Sequence, residues 1–144
     1  MIYIKIKSLN NFVKNGWTER NDLFITIQYK TQKRQTTIKW NDANPVWNEA
    51  FIFEEQGTDV ITFKIYDSNI FDKDIILMEE SVPIFLGKIQ EFNIGKFKFD
   101  MGNPLIDSET EQKINNLTDE IIALKNEKSI LNEKINNIKS ICED

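Results

Sequence analysis

The sequence predicts an all-β antiparallel sandwich of about eight short strands over residues 1–100, a linker at 101–107, and a C-terminal coiled-coil helix over 108–144. Three observations carry this. Apolar and polar residues alternate in short runs, with turn residues recurring about every ten positions, as half-buried antiparallel strands require. Met101-Gly102-Asn103-Pro104 is a breaker cluster at which the alternation stops. Beyond it, apolar residues recur in alternating steps of four and three, with no Gly or Pro from Ile114 to Asp144.

Taken in order, Ile2, Ile4 and Ile6 against Tyr3, Lys5 and Lys7 form the first strand. Because this end alternates instead of forming an apolar block, no secretory signal is expected there. Ser8 to Asp22 is a long connection rich in Asn, Lys and Gly, and loops of that length are usually functional or mobile. Leu23 to Lys30 is the second strand, with Leu23, Ile25, Ile27 and Tyr29 on one face. Arg34 to Trp40, polar apart from Ile38 and Trp40, reads as a third strand at a sheet edge.

Asn41-Asp42-Ala43-Asn44-Pro45 is a turn, since Pro45 fixes its own φ and pushes Asn44 toward an extended conformation. The fourth strand follows, with Phe51 and Phe53 on one face and Ala50 and Ile52 on the other. Trp47 is placed to cover the corner, and the Asn48 and Glu49 side chains to satisfy backbone groups freed where the chain turns. Glu54 to Asp59 is an acidic turn around Gly57, and Val60 to Tyr66 is the fifth strand. A loop from Asp67 to Asp74 leads into a strand from Ile75 to Ile84. Phe92 to Phe99 is the last strand, with Phe97 and Phe99 on one face. The chain from Pro83 to Phe99 is short for two final strands, so one edge strand is expected to be truncated, displaced or supplied by a partner.

Asn44-Pro45-Val46-Trp47-Asn48-Glu49-x-Phe51-x-Phe53 resembles the Asn-Pro-x-Trp-Asn-Glu-x-Phe-x-Phe signature of C2 domains, the calcium- and lipid-binding β-sandwich family. Asn21-Asp22-Leu23-Phe24-Ile25-Thr26-Ile27 resembles the family's Ser-Asp-Pro-Tyr-Val-Lys-Val strand entry. Val60 to Asp67 is similar to its strand ending in the aspartate loop, and Val82-Pro83-Ile84 to its Ile-Pro-Leu. The four segments stand in family order over roughly residues 1–100.

The resemblance implies a calcium site built from about five loop aspartates, two in the first loop and three after the fifth strand, because this hard cation takes about six to eight oxygens, several of them charged. Asp22 matches the second aspartate of the first loop, but the earlier one falls on Gly16, and no acid occurs from Ser8 to Thr18. Asp67 matches the first position of the other loop and Asn69 the second, without the charge. The last position falls on Ile75, or on Asp74 if the loop is one residue shorter. The expected metal set of Asp22, Asp67, Asn69 and Asp74 predicts weak calcium binding or none, and no required cofactor. Read as ordinary loop formers, the same residues favour turns through local hydrogen bonds.

Lys30, Lys33, Arg34 and Lys39 are the densest basic cluster, placed as the phosphoinositide-binding lysines of some C2 domains are; they also read as a charged, edge-protecting face. Phe71 and Ile70 occupy a loop tip suited to inserting into lipid or to capping the sandwich end.

Net charge sharpens this. Residues 1–40 carry eight Lys and Arg against two acids, net +6, whereas residues 41–144 carry ten against twenty-one, net −11. A basic front half can face an anionic surface although the whole chain is acidic. That acidity, without a nucleic-acid module, argues against nucleic acid as a partner. No histidine is present and Cys142 is the single cysteine. These exclude an internal disulfide, histidine-based catalysis and a Cys/His zinc cage, and they suit a reducing, cytoplasmic compartment. No phosphate loop and no nucleophile with a base accompany them, so an enzyme is not expected.

In the tail, Ser108-Glu109-Thr110-Glu111 has the capping-box form, with Ser108 as the expected cap. Ile114, Leu117, Ile121, Leu124, Lys128, Leu131, Ile135, Ile138 and Cys142 then form an a/d seam of about four heptads. The alternative is an amphipathic helix packed on its own sandwich, but on the order of 45 Å of helix exceeds what a small sandwich can cover. In a parallel homodimer Glu120 would pair with Lys125 while Lys134 faced Lys139, so a second copy and a different helix both remain open as partners. Ile122, Ile130 and Ile141 lie outside the seam.

These readings lead to a non-catalytic adaptor or scaffold: a sandwich docking on a protein or anionic membrane surface, assembled through the coil. It is expected to be calcium-independent and to work at a membrane or a cytoskeletal assembly. The competing expectation is a peripheral membrane-targeting module that depends on calcium or phosphoinositides.

Overall fold

Ile2, Ile4 and Ile6 are fully buried while the residues between them are not, and this period of two sets the first strand on one wall of a core. The computed structural model describes residues 1–11, 21–57, 59–69 and 71–142. Its strands are β1 (Ile2–Leu9), β2 (Leu23–Tyr29), β3 (Gln32–Gln35), β4 (Val46–Phe53), β5 (Val60–Asp67), β6 (Ile75–Pro83), β7 (Gln90–Ile94) and β8 (Phe97–Gly102), followed by the helix α1 (Ser108–Cys142). The strands form two antiparallel sheets, ordered β4-β1-β8-β7 and β3-β2-β5-β6. Fold class and strand number thus agree with the sequence reading.

The core lies between the sheets. Ile2, Ile4, Ile6, Phe53, Phe97, Phe99 and Met101 from one meet Leu23, Ile25, Ile27, Tyr29, Ile61, Phe63 and Ile65 from the other. Phe63 packs against both Phe97 and Phe99, with ring centroids 5.4 and 4.6 Å apart. Such pairs add about 0.5–1.5 kcal/mol beyond area burial.

Two expectations about strands need correcting. The third strand spans Gln32–Gln35 rather than Arg34 to Trp40. Thr36 ends it by turning inward: its hydroxyl accepts the Ile25 amide at 2.9 Å, and only an isolated bridge at Lys39 resumes the pairing. The stretch read as one strand from Phe92 to Phe99 is a hairpin. β7 and β8 are joined by Gly95-Lys96, with Gly95 at φ +57, so both final strands come from this chain. Glycine at the first central position is what a tight two-residue turn of this kind selects. β8 also continues to Gly102, past residue 100, because Met101 is buried and Gly102 lies so close to the Ile89 backbone that a Cβ would meet it at 2.6 Å.

The chain divides into two units, Met1–Leu105 and Ile106–Asp144. In the first, register places the loops. Ser8 faces Val46, Leu9 faces Phe97, and Leu23 faces Asp67. The end of β1, the start of β2, the connection 36–45, the end of β5 and the Gly95-Lys96 turn therefore share one end of the sandwich. In the second unit, Asp107 is the helix cap instead of Ser108: its carboxylate accepts the Thr110 amide at 2.7 Å, and its carbonyl accepts the Glu111 amide at 2.9 Å. Aspartate before serine offers the charged acceptor, which the helix N-terminus favours.

Candidate functional site

The Asn44 to Phe53 stretch builds the floor of the loop end. Pro45 accepts the Leu9 amide through its carbonyl at 3.0 Å, and the Asn44 side chain accepts the Asn11 amide at 2.7 Å, which together pin the turn to the end of β1. Trp47 is buried and donates its indole N–H to the Thr37 carbonyl at 2.9 Å. Glu49 accepts the Thr37 amide and, at 2.9 Å, its hydroxyl. Asn48 sits at φ +51, where the β1–β4 register slips, and asparagine tolerates that left-handed conformation better than most residues. Glu49 thus satisfies the backbone as the sequence suggests, whereas Asn48 serves through its own backbone conformation.

The candidate metal residues meet at this end, but they are engaged with backbone. Asp22 accepts the Asn41 amide at 2.8 Å, and its own amide donates to the Asp67 carboxylate at 3.1 Å. The Asp22 carbonyl takes the Ser68 amide at 2.7 Å. Asp74 accepts the Asn69 amide at 3.1 Å, and the Asn69 side chain accepts the Phe71 amide at 3.0 Å. Asp22 and Asp67 are brought together, and Asn69 and Asp74 form a second pair within their own loop. Among the described residues, no group of three or more His, Cys, Asp or Glu is disposed to hold a metal ion. Asp22 and Asp67 each accept one backbone amide here. The Gly16 position and the acid-free segment around it lie outside the described residues, as does Ile70.

Exposed apolar side chains mark the same end. Phe71 is 97% exposed, Trp40 56% and Val46 54%. Trp40 and Val46 are not among the sequence candidates, since the residue pattern assigns Trp40 to a strand; its place immediately before the turn residues is the available signal.

The basic residues, near one another in sequence, are not one patch. Lys30 lies in the β2–β3 turn at the opposite end, where its ammonium donates to the Gln56 carbonyl at 2.8 Å. Arg34 pairs with the buried Ile27 and places its guanidinium 5.5 Å from the Phe53 ring centroid, a cation–π contact closing the sheet edge. Lys33, opposite Gln28, points to the other face of its strand. Lys39 bridges Leu23, six strand residues from Tyr29, or about 20 Å away.

On α1, none of the 35 residues is buried. Ile114 is 45% exposed and Leu124 63%, and Leu117, Ile121, Leu131, Ile135 and Ile138 fall between. Cys142 carries an exposed free thiol, and Lys128 at its a position is exposed too. No helix among the described residues is long and apolar enough to cross a membrane.

Comparison with known proteins agrees with this geometry. The C2 domain family profile matches residues 1–117. Synaptotagmin-1 of Aplysia californica is 33% identical over 95 residues, which cover 61% of this chain and 21% of that protein. Multiple C2 domain and transmembrane region protein 10 of Arabidopsis thaliana is 22% identical over 89 residues, 62% of this chain and 8% of that one. The chain thus spans a small fraction of these relatives. Among solved structures, a C2 domain of plant Extended Synaptotagmin 1 superposes with a TM-score of 0.61 at 19% identity, over 70% of this chain and 91% of that one. Human GIVD cytosolic phospholipase A2 gives 0.62 at 20% identity, over 69% of this chain and 15% of that one.

Proposed function

The chain belongs to the C2 domain family, a non-catalytic module, and from that membership we propose that it is an adaptor whose sandwich docks on a protein or membrane surface and whose helix joins it to other chains. One observation carries the reading. A helix of 35 residues presents a heptad seam of isoleucine and leucine with no side chain buried. An apolar stripe of that regularity reaches favourable burial only against another helix, since each Leu or Ile removed from water contributes about 1.5–3 kcal/mol. The adaptor is calcium-independent on this account, because Asp22, Asp67 and Asp74 hold backbone amides in place. It acts in the cytoplasm. Sedimentation of the purified chain, alone and with cellular extract, beside a Leu117→Glu/Leu131→Glu variant tests the assembly: the parent sediments as an oligomer or in a complex and the variant as a monomer, and monomeric behaviour of the parent both alone and with extract contradicts it.

A second reading is favoured by Phe71, whose ring is almost wholly exposed at the same end as Trp40 and Val46. It makes the loop end a peripheral membrane contact, with Lys39, which bridges Leu23 at that end, adding about 1 kcal/mol near an anionic surface. Flotation with phosphatidylserine vesicles, with and without calcium, tests it. Binding lost in Phe71→Asp supports the membrane contact, and binding indifferent to that change counts against it.

A further inference from the structure

Resting on the assembly reading above, we propose that the α1 seam is covered by a second copy of this chain running antiparallel, with Leu124 of each helix opposite Lys128 of the other. The seam is exposed from Ile114 to Ile138, and its charges discriminate between the two directions in which an identical helix could lie.

In a parallel, in-register pair each a residue faces its own copy. Lys128 would then oppose Lys128 inside the seam, like charge against like charge, with Glu127 of the second copy only on the flank. On the flanks, Glu120 would attract Lys125, but Lys134 would repel Lys139. Two attractions and two repulsions by symmetry offset each other, so these flanks contribute nothing against the facing lysines.

Reversing one helix sets a positions against d positions. Ile114 then faces Ile138, Leu117 faces Ile135, and Ile121 faces Leu131, while Lys128 faces Leu124 rather than another charge. Every seam residue from Ile114 to Ile138 has a partner in this register. The flanking g positions place Glu120 beside Lys134, and the e positions place Glu111 beside Lys139, each occurring twice. Against these stand one Glu127 pair and one Lys125 pair at the two-fold axis. Glu127 of the second copy also lies on the flank next to Lys128, within reach of its long side chain. Opposite charges across such flanks set helix orientation. Because each helix starts at a different end of the coil, the two sandwiches are joined to it on the order of 50 Å apart, a spacing suited to bridging two docking sites.

Thr110 lies opposite Cys142 of the second copy in this register, whereas the two native Cys142 residues lie on the order of 50 Å apart. The test combines thiol oxidation with sedimentation on the full chain. Under copper–phenanthroline oxidation, Thr110→Cys is expected to give a covalent dimer on non-reducing gels, reversed by reductant, while the native chain gives none. Lys134→Glu is expected to weaken self-association several-fold, and adding Glu120→Lys to restore it. A Cys142 cross-link in the native chain, a dimer of Thr110→Cys that fails to cross-link, or tighter association of Lys134→Glu would overturn the antiparallel direction while leaving a coil in place. A native chain monomeric alone would overturn the second copy as occupant, and one monomeric also with cellular extract would overturn the assembly reading beneath it.

Discussion

The backbone amide of Asp22 donates to the carboxylate of Asp67 at 3.1 Å, joining the loop before β2 to the loop after β5. The two acids that most resemble calcium ligands therefore clasp one loop to the other, and Asp22 uses an oxygen on the Asn41 amide as well. An Asp67→Asn substitution would keep an acceptor for the clasp and lose only the charge.

Calorimetric titration of the chain with calcium is accordingly expected to show no binding tighter than about 10⁻⁴ M, the weak end of the range for dedicated calcium modules. Asp67→Asn should leave urea-unfolding stability within about 0.5 kcal/mol, whereas Asp67→Ala, which removes the acceptor from a part-buried amide, should cost about 1–3 kcal/mol. Micromolar calcium binding abolished by Asp67→Asn would show instead that the loops hold the ion, and would promote the membrane reading.

Trp47 ties β4 to the segment after β3 through both burial and its bond to Thr37. Urea unfolding of Trp47→Ala is expected to show a loss of about 3–5 kcal/mol, as for other buried large aromatics. A loss below about 1 kcal/mol would mean that the corner is held by Glu49 and Pro45 alone.

Strands with strict alternation were legible from the residues: Ile2-Ile4-Ile6 and Leu23-Ile25-Ile27-Tyr29 are buried as read, although in β2 Phe24 and Thr26 on the other face are buried too. So was the corner at Pro45, where a fixed φ and a tryptophan leave few local alternatives. Errors fell where a cross-strand bond or a tight turn interrupted the periodicity. Thr36 ends β3 by bonding to Ile25, a partner eleven residues away that no run of side chains announces. The Gly95-Lys96 hairpin was hidden because apolar residues continue on both sides of the turn; its glycine was the signal. Around the loop end, sequence named acids that do come together, yet their engagement with backbone amides depends on how the loops fold back. Lys30 and Lys39, near in sequence, separate because a strand runs between them.

Asp107 gives the fold a pH dependence of known sign. The Thr110 amide, bonded to its carboxylate, holds its pKa below the ordinary 3.8. A depressed aspartate contributes stability that is complete above its unfolded value and disappears as pH falls through the lower folded one. Helix content followed by circular dichroism from pH 6 downward is thus expected to hold to about pH 4 and to fall below it. In Asp107→Asn the uncharged cap should remove the part of that fall due to this residue. An identical acid transition in both chains would show that Asp107 does not cap α1.

The most direct test is sedimentation equilibrium of the full chain across a range of concentrations. Self-assembly through the exposed seam from Ile114 to Ile138 predicts a mass twice the 16.9 kDa of one chain, reverting to a single chain when Leu117 and Leu131 are replaced by glutamate. A single-chain mass at every concentration, unchanged by those substitutions, would contradict it.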